Sequence, residues 1–174
     1  MPKFTITETI QSERVLSTRL GSNTVALGGG FTDKEVGKAV KLTAESRFAL
    51  CAVGDPIEAT ISSVNLGVYD GFSIGAVVSR GYKDVTFDGL QATPGTGVVA
   101  LGDFVVTGVV AAAGTALIAP VKVCKGTIQP GITVATVIGD VNVQINAAKF
   151  MWRVVSLGSA GTGAVGTTGV IERV

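Results

Sequence analysis

The sequence lacks histidine altogether, and it holds only two cysteines in 174 residues. Without an imidazole, Ser–His–Asp and Cys–His nucleophilic catalysis are excluded, leaving only Ser–Lys or Thr variants of that chemistry. Two cysteines and no histidine also fall short of the usual four-ligand zinc site. Charged residues make up 16% of the chain against roughly 25% in an average soluble domain, and aromatics only 6%. With 47% hydrophobic residues, the chain is not a disordered, charge-rich tail. The net charge of +1 carries no Lys/Arg cluster, so there is no electrostatic case for direct nucleic-acid binding.

Cys51 and Cys124 lie 73 positions apart with no CxxC spacing. Two buried free thiols are expected, with a single disulfide as the alternative. The N-terminal stretch Met1-Pro2-Lys3-Phe4-Thr5-Ile6 lacks the apolar core of a signal peptide. The longest uncharged run is the 18-residue stretch from Phe104 to Val121. Gly108, Gly114 and Pro120 argue against a membrane helix, and the run reads as two buried strands joined at Ala112-Ala113-Gly114.

Glycine, valine and threonine are abundant: 24 Gly, 27 Val and 19 Thr. From Val36 onward, short β-branched runs are separated by Gly, Asp or Pro, among them Ile57–Val64, Ser73–Val78, Lys83–Phe87 and Phe150–Leu157. This punctuation predicts an all-β domain over residues 31–174, an antiparallel β-sandwich or β-barrel of about ten or more short strands. Val53-Gly54-Asp55, Leu101-Gly102-Asp103 and Ile138-Gly139-Asp140 read as hairpin corners, glycine accepting positive φ and aspartate bonding nearby amides. Their spacings of 48 and 37 are too uneven for a solenoid or propeller repeat. Residues 1–30 differ in character: a polar segment with apolar positions Phe4, Ile6, Ile10, Val15 and Leu16, followed by the hinge Gly28-Gly29-Gly30. A short helix over Glu8–Leu16 is compatible with the spacing. The segment reads as an extended N-terminal arm, either frayed or an edge strand of its own domain, or ordered on a neighbouring subunit.

Candidate sites for chemistry reduce to ordinary structure. Gly158-Ser159-Ala160-Gly161-Thr162-Gly163 superficially resembles a phosphate loop, but no Lys follows, and it reads as a polar hairpin tip. The thirteen acidic residues offer no specific catalytic pair, and one Asp per Gly-Asp turn is too few for calcium. Trp152 in the Val-rich run Phe150–Val155 is ordinary core material. Neither catalysis nor a cofactor or metal is expected. A function exercised through contact suits a low-charge, apolar chain.

Three stretches carry a family resemblance: Val36–Ser46 followed by Leu50–Ala59, then Asp70–Val77 with Gly81–Asp88, and Trp152–Leu157 with its Gly/Thr-rich tail. They resemble a β-module of small structural proteins of tailed bacteriophages, most of all the capsid decoration proteins, also called cement or head-stabilising proteins. The resemblance rests on turn-and-strand patterns and is densest over residues 36–90. It implies a β protein on the outer capsid surface of the virion, made in the host cytoplasm and often a homotrimer. Such a protein bridges neighbouring capsomers of the major capsid protein, with no membrane partner. On that analogy Phe4, Ile6, Ile10, Val15 and Leu16 are the capsid-interface residues, and removal of residues 1–20 is expected to abolish binding while leaving a folded core. Other phage virion parts (head fibre, tail or spike subunit) and a small carbohydrate-binding β-domain are the competing readings.

Overall fold

A computed structural model describes residues 15–21, 31–43, 47–69, 72–88, 98–126 and 151–173. The described residues are all-β, with no α-helix. Five strands form one sheet: β1 (Val15–Leu20), β2 (Ala39–Leu42), β3 (Phe48–Leu50), β4 (Ala59–Tyr69) and β5 (Phe72–Val78). Five more form a second: β6 (Tyr82–Phe87), β7 (Phe104–Thr107), β8 (Val121–Lys125), β9 (Trp152–Ser156) and β10 (Thr168–Arg173). Each sheet closes on itself as a five-stranded barrel, in the orders β1-β3-β2-β4-β5 and β10-β6-β8-β7-β9. Closure removes exposed sheet edges and leaves an interior filled by side chains. Pairing is antiparallel except for one parallel pair in each barrel, β1 with β3 and β6 with β8, so the fully antiparallel expectation is corrected.

The two barrels are the same structure twice. Matching β1–β5 to β6–β10 in order reproduces every pairing and its direction. The correspondence holds to the residue. Before β2, Gly37 N–H donates to Ile61 O at 2.7 Å and Ile61 N–H to Lys38 O at 3.0 Å; before β7, Gly102 N–H donates to Val154 O and Val154 N–H to Asp103 O, both at 2.9 Å. The ladder between fourth and fifth strands slips at the same place, between Ile61 and Ser63 in one barrel and between Val154 and Ser156 in the other. Leu20 pairs in parallel with Phe48 as Phe87 pairs with Val123.

A close approach fixes one residue type in both copies. A Cβ on Gly75 would lie 2.2 Å from Ser63 O and 2.5 Å from a Leu20 methyl; on the equivalent Gly169 it would lie 2.6 Å from Ser156 O and 2.5 Å from the Phe87 ring. The strands can approach this closely only without a side chain there.

The first barrel's core is Leu20, Phe31, Val40, Phe48, Ala59, Ile61 and Val77, with Leu16 packed against it. The second barrel's core, built around Phe87, Val123, Trp152 and Ile171, also takes in Ala39, Cys51 and Ile57 from the first unit. The Trp152 indole N–H donates to Ile57 O at 2.8 Å. Trp152 is fully buried, as its Val-rich context indicated. Both cysteines are buried and free.

Two expectations shift, and a third falls outside the described residues. Val15–Leu20 is a barrel strand paired with β5 along six residues, so a cut at residue 20 removes a wall of the first barrel instead of leaving a folded core. Phe4, Ile6, Ile10, most of the proposed Glu8–Leu16 helix and the Gly28–Gly30 hinge lie outside the described residues. The uncharged run 104–121 is not two buried strands: β7 ends at Thr107, β8 starts at Val121, and the residues between form a surface loop.

Candidate interaction surface

Gly-Asp corners place the connections that build the surface. Gly54 and Gly102 both sit at φ 84°, where a side chain is disfavoured. The Asp55 carboxylate accepts from Ala52 N–H at 2.6 Å and the Asp103 carboxylate from Ala100 N–H at 2.9 Å, each closing a four-residue turn. Each aspartate also pairs with a lysine, Asp55 with Lys41 and Asp103 with Lys125. Both turns form, but neither is the hairpin corner expected, because β3 does not pair with β4 nor β6 with β7; Ile138-Gly139-Asp140 lies outside the described residues.

The Gly54 corner reaches the second barrel. Gly54 N–H donates to Thr107 O at 2.8 Å and Thr107 N–H donates to Asp55 O at 3.0 Å, extending the sheet alongside β7. Arg173 donates to Glu58 O and Ser79 O. Beside this seam lies a cleft of about 450 Å³ whose lining is mainly apolar and includes Val36, Ile61, Val78, Leu117 and Trp152.

Residues 109–120, Val-Val-Ala-Ala-Ala-Gly-Thr-Ala-Leu-Ile-Ala-Pro, carry no charge. The first barrel has only 43–47 at this place, so the loop is an insertion in the second copy. It is nonetheless held at fixed points. At its start, the buried Asp88 carboxylate accepts from Val109 N–H, and Gly108 leaves the room for it, since a Cβ there would overlap the carboxylate. At its middle, the Glu35 carboxylate accepts from Gly114 N–H, and the Lys38 ammonium donates to Ala112 O at 2.8 Å. Glu35 and Lys38 pair at 3.4 Å and are both almost completely buried. Glu35 also takes the Thr32 N–H and hydroxyl, completing a capping box over the one-turn 3-10 helix Asp33–Glu35. Burial by itself would raise the Glu35 pKa. The Thr32 and Gly114 amides, the Thr32 hydroxyl and the Lys38 charge outweigh it and hold the carboxyl below its ordinary value. Beyond these staples the loop is open to solvent: Ile118 is 101% exposed, and most of the alanines around it are exposed.

Other large apolar side chains at the surface include Val98, Leu101 and Val165. Nucleophilic chemistry at the thiols is disfavoured. Desolvation pushes Cys51 up to about 12 against a partial pull down from the Thr107 hydroxyl, and pushes Cys124 up to about 11 with the Asp88 charge adding to it. Among the described residues no three acidic or thiol side chains are grouped to hold a metal, and no helix is long and apolar enough to cross a membrane.

Of the five interface candidates drawn from the sequence, Val15 and Leu16 are in β1, with Leu16 half-buried against the first core. The exposed loop 109–120 was missed as a surface because its composition is that of a core. Compared with known protein families, curated proteins and solved structures, the chain matches none.

Proposed function

We propose that this chain is a virion structural protein that binds the outside of a bacteriophage capsid and stabilises it by bridging neighbouring subunits of the major capsid protein. The observation that carries this reading is the pinned, uncharged loop 109–120. An exposed apolar segment is costly in a free monomer and useful in a contact. Buried staples at Asp88, Glu35 and Lys38 fix its shape in advance, which lowers the ordering cost of binding. The work is done by area: about 800 Å² per partner is a standard interface, and repetition over a shell multiplies it. The arm residues Phe4, Ile6 and Ile10 extend the same contact, self-association as a homotrimer multiplies it further, and no enzymatic activity is part of the proposal. The carbohydrate-binding alternative loses its stacking residue, because Trp152 is buried.

Co-sedimentation of the full chain with capsids tests the proposal. Ile118→Glu is expected to weaken retention at least tenfold with unchanged circular dichroism, and removal of residues 1–14 to weaken it further. Retention at wild-type level after both changes would sink it.

A further inference from the structure

The cleft beside the seam is the mouth of the second barrel. It opens where β6, β8 and β9 begin and β10 ends. These termini lie together because β6 and β8 run parallel while β10 runs antiparallel to both β6 and β9. The floor is the end of the second core, with Val85, Trp152 and Ile171 at most 2% exposed. The facing wall is the outside of the first barrel. Ala59, Ile61 and Val77 belong to the first core, so Thr60 and Val78, which alternate with them and pair across β4 and β5, face outward onto the cleft. Loop residues from Leu117 to Pro120 close a third side, and the staples at Ala112 and Gly114 hold that loop in place.

Thr60 is the residue of that wall that asks for a partner. It is 8% exposed, and among the described residues none hydrogen-bonds its hydroxyl. A nearly buried hydroxyl without a partner costs free energy that a bound group restores. The Trp152 indole N–H, by contrast, is already taken by Ile57 O, so the floor offers apolar surface only. Charge at the rim cancels, since Lys83 and Asp84 sit side by side. The cleft's volume of about 450 Å³ lies within the range of small-molecule pockets, which form preferentially at barrel mouths and domain junctions. At about 30 Å³ per molecule it has room for roughly fifteen waters.

We propose that this mouth binds a small uncharged amphiphile: an apolar body of roughly ten to twenty non-hydrogen atoms over the second core, with one hydroxyl or carbonyl on the Thr60 hydroxyl. The apolar floor selects the body, the lone hydroxyl selects a single polar end, and the balanced rim gives neither an anion nor a cation an advantage. The walls stand ready before the ligand arrives, so little ordering is required of the protein on binding. The site does not depend on shell binding, because Ile118 projects from the loop outside the cleft.

Fluorescence titration of the full chain with N-phenyl-1-naphthylamine, an uncharged apolar probe, followed by displacement with 1-decanol, tests this without capsids. The wild type is expected to bind the probe saturably at one site per chain and to release it to 1-decanol. Ser62→Phe adds a ring to the cleft wall from an exposed position, so the chain should fold and lose at least tenfold in probe affinity. Thr60→Val keeps the shape and removes the hydroxyl, and should weaken 1-decanol about fivefold more than it weakens the probe. Ile118→Glu is expected to leave probe affinity at the wild-type level, which separates this site from the shell-binding surface. A wild type without saturable binding, an S62F chain of wild-type affinity, equal effects of T60V on both ligands, or a probe lost in I118E overturns the proposal.

Discussion

Glu35 joins four groups from two parts of the fold. Its carboxylate ties Thr32, Lys38 and Gly114 together, linking the approach to β2 with the inserted loop of the other barrel. A buried pair of this kind contributes little net stability over an apolar substitute, but breaking it leaves a charge without a partner. Glu35→Gln is therefore expected to destabilise the fold by about 3–5 kcal/mol at neutral pH, because Lys38 stays buried opposite a neutral amide. The pH dependence follows from the lowered Glu35 pKa. A carboxyl whose folded value lies below its unfolded value of 4.5 stabilises the fold fully above that pH, and the contribution is lost as pH falls through the folded value. Urea midpoints at pH 7 and in acid should show the gap between wild type and E35Q closing as the pH drops. A gap that stays constant would mean that the carboxylate charge is not what holds the staple.

Among the elements, the fourth and fifth strands of each barrel show how little sequence is needed to specify a repeated geometry. The shared slip in register and the shared close approach need a glycine in one strand and a backbone oxygen facing it in the other. Gly75→Ala and Gly169→Ala are each expected to cost about 2–4 kcal/mol, since the new methyl meets backbone and has nowhere to go. Gly114→Ala, with positive φ but open space, should cost only about 1 kcal/mol. Denaturant midpoints compare the three; an ordinary small loss at Gly75 or Gly169 would refute the close approach. Here lies the limit of what the sequence could tell. Strand runs and the Gly54 and Gly102 turns were legible because β-branched runs and positive-φ turns are local properties. The duplication was not, because equivalent core positions hold different residues: Leu20 and Phe48 in one barrel become Phe87 and Val123 in the other, and Ala59 becomes Trp152. Equivalent positions also drift from 67 apart at Leu20 and Phe87 to 94 apart at Gly75 and Gly169, so no fixed period survives. The loop 109–120 misled for the opposite reason, since apolar composition reads as core whether or not anything covers it.

For the molecule as a whole, the question is whether two barrels make two folding units or one. Each barrel has its own interior, yet Cys51 and Ile57 belong to the first chain segment and to the second core. The Trp152 indole, the Thr107 backbone and the Arg173 guanidinium all bond to the 51–58 connection or its flank, so opening the seam strands buried polar groups on both sides. Loss of either barrel removes packing that the other needs, which favours a single cooperative transition. Trp152 is the only tryptophan and lies in the second barrel, whereas far-ultraviolet circular dichroism reports on both. Fluorescence and dichroism are therefore expected to trace one coincident urea curve. Ile57→Ala, which empties a site fully buried in the second core while leaving the β-strands intact, should shift both curves together by about 2–5 kcal/mol. Separate midpoints for the two probes, or an I57A shift seen in only one of them, would mean that the barrels fold independently and that the seam is a contact surface between finished units.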